Sequence, residues 1–171
     1  FFYRTSTNLI DYVPTNSDNI NNADNLQDDT DYLYASNISE SDVYGIELIS
    51  GFSSDLTSTA NLKTNVGYTY IKTTSDQNTV SRYIANHPSH QVSLDLSLNT
   101  GALSVQSQSK FNVRSELSAY LIGGDVPEQY FVSNLKVAYK PFGQRFQFYT
   151  QILNLTDTQY QEILGAPMPG R

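Results

Sequence analysis

The chain has 171 residues, enough for one domain with a sizeable core, and its 13 tyrosines and 8 phenylalanines come without a single Trp or Cys. A net charge of -7 and a pI near 4.6 exclude nucleic acid as a partner, because phosphate binding needs a basic face. Mean hydropathy is -0.40 and no run reaches the roughly 18 apolar residues of a transmembrane helix, which leaves strands as the route by which this chain could cross a membrane.

Aromatic and β-branched residues suit a pleated surface and abundant Asn and Ser suit turns, so the composition favours strands. The chain opens on Phe1, Phe2, Tyr3 and Arg4, without an initiator Met or the charged and apolar regions of a signal peptide, and so reads as internal to a longer protein. A first strand over 1–13 carries Phe1, Tyr3, Leu9 and Val13, interrupted by Asp11. The connection 14–31 holds Asp18, Asp24, Asp28, Asp29 and Asp31 but lacks the Gly and Glu spacing of an EF-hand, so it reads as a solvated loop and not as a calcium site. A second strand over 32–53 sets Tyr44, Ile46, Leu48 and Phe52 against Gly45, Glu47 and Gly51, and Ser53 to Thr57 makes a tight turn.

The third strand, 57–73, alternates Ala60, Leu62, Val66, Tyr68 and Tyr70 with Asn61, Lys63, Asn65, Gly67 and Thr69. A long connection, 74–88, leads into 89–99, where Val92, Leu94, Leu96 and Leu98 oppose Gln91, Ser93, Asp95 and Ser97. Asn99-Thr100-Gly101 turns the chain into 101–117, with Leu103, Val105, Phe111 and Val113 opposite Gln106, Gln108, Lys110, Asn112 and Arg114. After the connection 118–128, Phe131, Leu135, Val137 and Tyr139 of a strand over 129–140 oppose Asn134 and Lys136. Pro141 to Gln144 then turns into 145–155, where Phe146, Phe148 and Ile152 oppose Gln147 and Gln151, and 156–171 is a last long connection.

Short and long connections therefore alternate. In a membrane meander every second connection lies on the same side, and outer-membrane barrels pair short periplasmic turns with long external loops. The expected fold is all-β: an antiparallel up-and-down transmembrane β-barrel fragment of about seven strands, with its apolar faces on the lipid bilayer. Long loops 14–31, 74–88, 118–128 and 156–171 are then external, and Glu47, Lys63, Lys110, Arg114 and Lys136 face the lumen or a plug. Phe52, Tyr139, Phe142 and Phe146 would form one interfacial girdle, and Tyr32, Tyr34, Tyr68, Tyr70, Tyr130 and Phe131 the other. A soluble β-sandwich would alternate in the same way, with its apolar faces meeting each other.

No chemistry stands out. His87 and His90 bracket Pro88-Ser89 and could join Asp95, but there is no Gly-x-Ser-x-Gly elbow, no Cys ligand and no helix to align the histidines. The expectation is no enzyme, no metal and no cofactor.

Four stretches resemble the C-terminal barrel portion of TonB-dependent outer-membrane receptors: Phe2-Tyr3-Arg4 with Asn8-Leu9-Ile10; Asn37 with Val43-Tyr44-Gly45-Ile46-Glu47-Leu48; Arg82 with His87-Pro88; and Ile152 to Tyr160 followed by Gly165 to Arg171. The last is the most specific, with Asn154, Leu155, Asp157 and Tyr160 in an Asn-Leu-x-Asp-x-x-Tyr pattern ahead of Pro169-Gly170-Arg171. The resemblance implies a bacterial outer membrane, a plug domain, a TonB box and a closing strand outside this sequence, and active import of a small nutrient such as an iron-siderophore complex. It also makes the sequons Asn37-Ile38-Ser39 and Asn154-Leu155-Thr156 coincidental. A passive porin, which lacks a plug, remains the first alternative, and the soluble β-sandwich binding module the second.

Overall fold

The computed structural model describes residues 1–22, 24–75, 81, 87–114, 127–142, 145–163 and 165–171. Alternation of side chains along the backbone becomes seven strands: β1 (Phe2–Asn16), β2 (Asp31–Thr57), β3 (Ala60–Ser75), β4 (Pro88–Thr100), β5 (Leu103–Arg114), β6 (Gln129–Tyr139) and β7 (Phe148–Ile152). They pair in chain order as one antiparallel sheet, with β1 and β7 at its edges. Two short strands, β8 (Gln161–Ile163) and β9 (Ala166–Pro167), form a separate ladder.

Facing residues on neighbouring strands project from the same side of a sheet, so the register fixes what each face presents. One row runs Leu48, Tyr68, Val92, Phe111 and Phe131, and two steps of strand away runs Ser50, Val66, Leu94, Ser109 and Ser133. The opposite face carries rows such as Glu47, Thr69, Gln91, Asn112 and Tyr130, or Ser53, Lys63, Ser97, Gln106 and Lys136. One face is greasy and the other is polar.

Exposure is inverted relative to a water-soluble protein. Leu48, Phe52, Leu96, Phe131 and Phe148 are all exposed on the greasy face. Val43, Tyr130, Val132 and Ala138, buried apolar residues among those described, lie on the polar face, while Ile38, also buried, lies opposite Leu9 in the β1–β2 pairing beyond Ser41. No second sheet covers the greasy side among the described residues, which removes the sandwich architecture. In water each uncovered Leu or Phe forgoes about 1.5–3 kcal/mol of burial, and acyl chains supply that burial instead. From the Tyr70–His90 row to the Ala60–Thr100 row, ten steps of β3 span about 33 Å, or about 25 Å at a typical barrel tilt, the height of a hydrocarbon band.

Several expected boundaries shift. The first tight turn lies at Ser58 and Thr59, not at 53–57, because Ser53, Ser54 and Asp55 continue the ladder opposite Lys63, Leu62 and Asn61. Asn61 secures that extension by donating from Nδ2 to Asp55 Oδ1 at 2.8 Å. Gly101, at φ +52, turns the next hairpin and donates to the Thr59 carbonyl at 2.9 Å, which ties adjacent short turns together. Pairing of β1 with β2 reaches Asn16 and Asp31, so the first loop is shorter than 14–31 and opens on a 3₁₀ turn, Ser17–Asn19. Strand β7 stops at Ile152, because Asn154 takes a left-handed conformation at φ +49. Residues 115–126, 143–144 and most of 76–86, where parts of the expected 101–117 strand and the 74–88 and 118–128 loops fall, lie outside the described residues.

Four aromatics leave the girdles assigned to them. Tyr130 pairs with Asn112 on the polar face and is buried there. Phe52 sits in the row of Thr64, Leu96 and Leu135, inside the greasy band, because the turn beside it is displaced towards 58–59. Among the described residues, Tyr32 and Tyr34 pair with β1 alone, in a ribbon that continues past Ser41, the partner of Ser75 on β3.

Candidate functional site: the polar face and the segment folded onto it

The register places Glu47, Lys63, Lys110 and Lys136 on the polar face, and Arg114 joins them two residues beyond Asn112 on β5. They are not one cluster. Lys63 and Lys136 lie in the row near the short turns, while Glu47, Lys110 and Arg114 lie towards the long-loop end. Gly45 lies on the same face, and the space over it is filled by this chain itself: a Cβ there would stand 2.7 Å from the Phe2 ring and 2.1 Å from the Tyr70 carbonyl oxygen. His90 projects from the greasy face, tilted against Tyr70 at 5.0 Å, with Nδ1 2.9 Å from the Tyr68 hydroxyl. The Asp95 row faces the other way, so these two residues share no site.

The motif residues near the end of the chain build a compact turn. Asn154 Oδ1 accepts from the Thr158 N–H at 3.0 Å, and its Nδ2 donates to the Thr158 carbonyl at 2.9 Å. Leu155 donates its N–H to the Ser133 carbonyl at 2.7 Å, which fixes this turn to β6. Asp157, also left-handed at φ +51, accepts the Arg171 N–H on Oδ1 at 2.9 Å, and a Cβ on Gly170 would meet the same oxygen at 3.0 Å. Pro169 lies within the stretch that these bonds close, and Met168 donates to the Tyr160 carbonyl at 2.9 Å. Asn154 and Asp157 thus act through geometry, by bringing both ends of 154–171 together.

That turn sends 160–162 back across the polar face, where it meets the wall in three places. Tyr160 stacks on Tyr130 with ring centroids 5.0 Å apart. Lys110 Nζ stands 3.7 Å from Glu162 Oε1. Arg114 donates from Nη2 to the carbonyls of Gln161 and Glu162 while its guanidinium lies 5.6 Å from the Tyr130 ring centroid. Burial, then the Glu162 carboxylate and Tyr130, hold the Tyr160 phenol above its ordinary value. Between segment and wall lies a crevice of about 250 Å³ whose lining includes Ser93, Asp95, Gln108, Asn134 and Tyr160.

Sequence reasoning singled out Lys110 and Arg114 but missed Tyr130 and Glu162. The signal for Tyr130 was available: it shares parity with Val132, Asn134 and Lys136, and so belongs to the polar face. Glu162 carried no comparable signal, because its partner Lys110 is far away in sequence. The described residues hold no group of three His, Asp or Glu side chains that converges on a metal. Arg82 of the third motif is outside the described residues.

A greasy, uncovered outer face backed by a polar wall defines the class: part of a membrane-spanning antiparallel β-barrel. Residues 1–155 match the family described as TonB dependent receptor-like, beta-barrel, and the chain belongs to it. This is a family of bacterial outer-membrane receptors that serve TonB-dependent transport. Neither the curated proteins nor the solved structures contain a match to the chain.

Proposed function

We propose that this chain forms part of the wall of an active importer, in which the polar face lines the barrel interior against a plug and the long loops face outward to capture a scarce nutrient such as an iron-siderophore complex. The carrying observation is the pairing of an uncovered greasy face with a polar face that already has polypeptide packed on it through Tyr130, Lys110 and Arg114. Glu47, Lys63 and Lys136 have polar-face positions from which wall side chains can meet an inserted domain or its water. Energy enters, on this reading, when TonB pulls on the plug and releases the captured solute inward.

The test uses the full-length receptor in cells, with labelled ferric siderophores, cobalamin and oligosaccharides offered in turn. Uptake of one of them should depend on the receptor and collapse when TonB is deleted. Receptor-dependent uptake that continues without TonB would identify a passive porin instead.

A further inference from the structure

We infer that Lys110, Arg114 and Tyr130 form a binding site for an oxyanion-bearing solute, covered in the structure by the chain's own 160–162 stretch. This rests on the polar face being the barrel interior, as proposed above. Everything the cover offers the two cations is oxygen: the Gln161 and Glu162 carbonyls go to Arg114, and the Glu162 carboxylate goes to Lys110. A ring from the same stretch rests on Tyr130. The cover therefore occupies the positions that a carboxylate or phosphate group would take.

Its match to the site is incomplete. Arg114 is only 4% exposed, yet Nε and Nη1 have no hydrogen-bond partner, and neither does Asn112 Oδ1 in the same buried patch. No carboxylate pairs with Arg114 among the described residues. A buried guanidinium whose donors are left unpaired is costly, and an anion that reaches them removes that cost. Carbonyl oxygens carry only partial charge, whereas a carboxylate or phosphate makes charge-assisted bonds roughly twice as strong.

The cover is also easy to lift. It consists of a three-residue strand and a two-residue strand, and a lone two-stranded hairpin is marginal in water. The ion pair it makes, Lys110 to Glu162, has both side chains more than two-fifths exposed, where such pairs add little. The left-handed residues Asn154 and Asp157 at its root hold the turn while the tip lies over the wall. A solute oxyanion competes with 160–162 for Arg114 and Lys110, and the tip moves aside as the solute enters.

A nitroxide on Ile163→Cys in the full-length receptor, at an exposed position next to the cover, reports the displacement. Citrate and inorganic phosphate serve as probes, with sodium chloride at matched ionic strength as the control. Either oxyanion should raise label mobility with saturation in the millimolar range. Arg114→Gln should move the half-point up at least tenfold, and Glu162→Gln should lower it several-fold by weakening the competitor. If Arg114→Gln does not fold, citrate calorimetry on Lys110→Gln gives the second measure, with at least a fivefold loss expected. A response to chloride equal to that for citrate, or half-points and affinities unchanged by these substitutions, overturns the site. No TonB is needed for this readout, so its failure leaves the import reading standing, and TonB-independent uptake would leave the oxyanion site standing.

Discussion

Asn154 shows how one side chain can set the course of many residues after it. It is buried, left-handed, and bonded twice to Thr158. Alanine there loses both hydrogen bonds and tolerates the left-handed region less well than Asn, whose polar side chain bonds locally, so Asn154→Ala should cost about 2–4 kcal/mol of stability. Asn154→Gly keeps the conformation and loses only the bonds, and should cost about half as much. Urea midpoints of the receptor refolded in detergent measure both, and equal losses would show that the backbone conformation contributes nothing. A second contrast is available at Gly45 and Gly67. A Cβ at Gly45 collides with the Tyr70 backbone, whereas at Gly67 it meets only the Ser93 hydroxyl at 2.6 Å, which can rotate. Gly45→Ala should therefore lower stability by about 3 kcal/mol and Gly67→Ala by under 1, in the same assay.

Strands impose a different rule, since a residue's worth there depends on its parity. Leu96 lies near the middle of the greasy band, between Thr64 and Ser107, while Gln108 lies on the polar face between Asp95 and Asn134. Leu96→Arg should cost about 2–4 kcal/mol in reversible folding into vesicles, and Gln108→Arg close to nothing. Comparable losses at both positions would contradict the assignment of faces. Parity was readable in the sequence wherever the contrast was strong, as from Val92 to Leu98 beside Ser93 to Ser97. It failed for Tyr130, because an aromatic residue on a polar face resembles one in a girdle until its partner Asn112 is known. Turn chemistry misled at Ser53-Ser54-Asp55, where residues that suit a turn are held in the ladder by Asn61 and its neighbours. The cover was illegible for a physical reason: β8 and β9 are too short to show a period, and their anchors on β5 are remote in sequence.

At the scale of the whole molecule, two open edges and an uncovered greasy face coexist among the described residues. Unpaired edge strands recruit other chains in water, so residues 1–171 expressed alone should aggregate without detergent. Light scattering decides this, and a folded, detergent-free monomer would sink the prediction.

The ribbon formed by β1 and the first part of β2 bears on this larger scale in another way. Between Ser41 and Asp31 it runs for about 33 Å of strand with no partner but β1 among the described residues, and its tip bears Asp18, Asp24, Asp28, Asp29 and Asp31. Ionic screening in physiological salt has a reach of about 8 Å. Measured along the strand, that is about four screening lengths, so the field of the tip is largely screened by the Ser41 row. The charge of the tip acts on its own surroundings and leaves the chemistry of the crevice to the charges that line it.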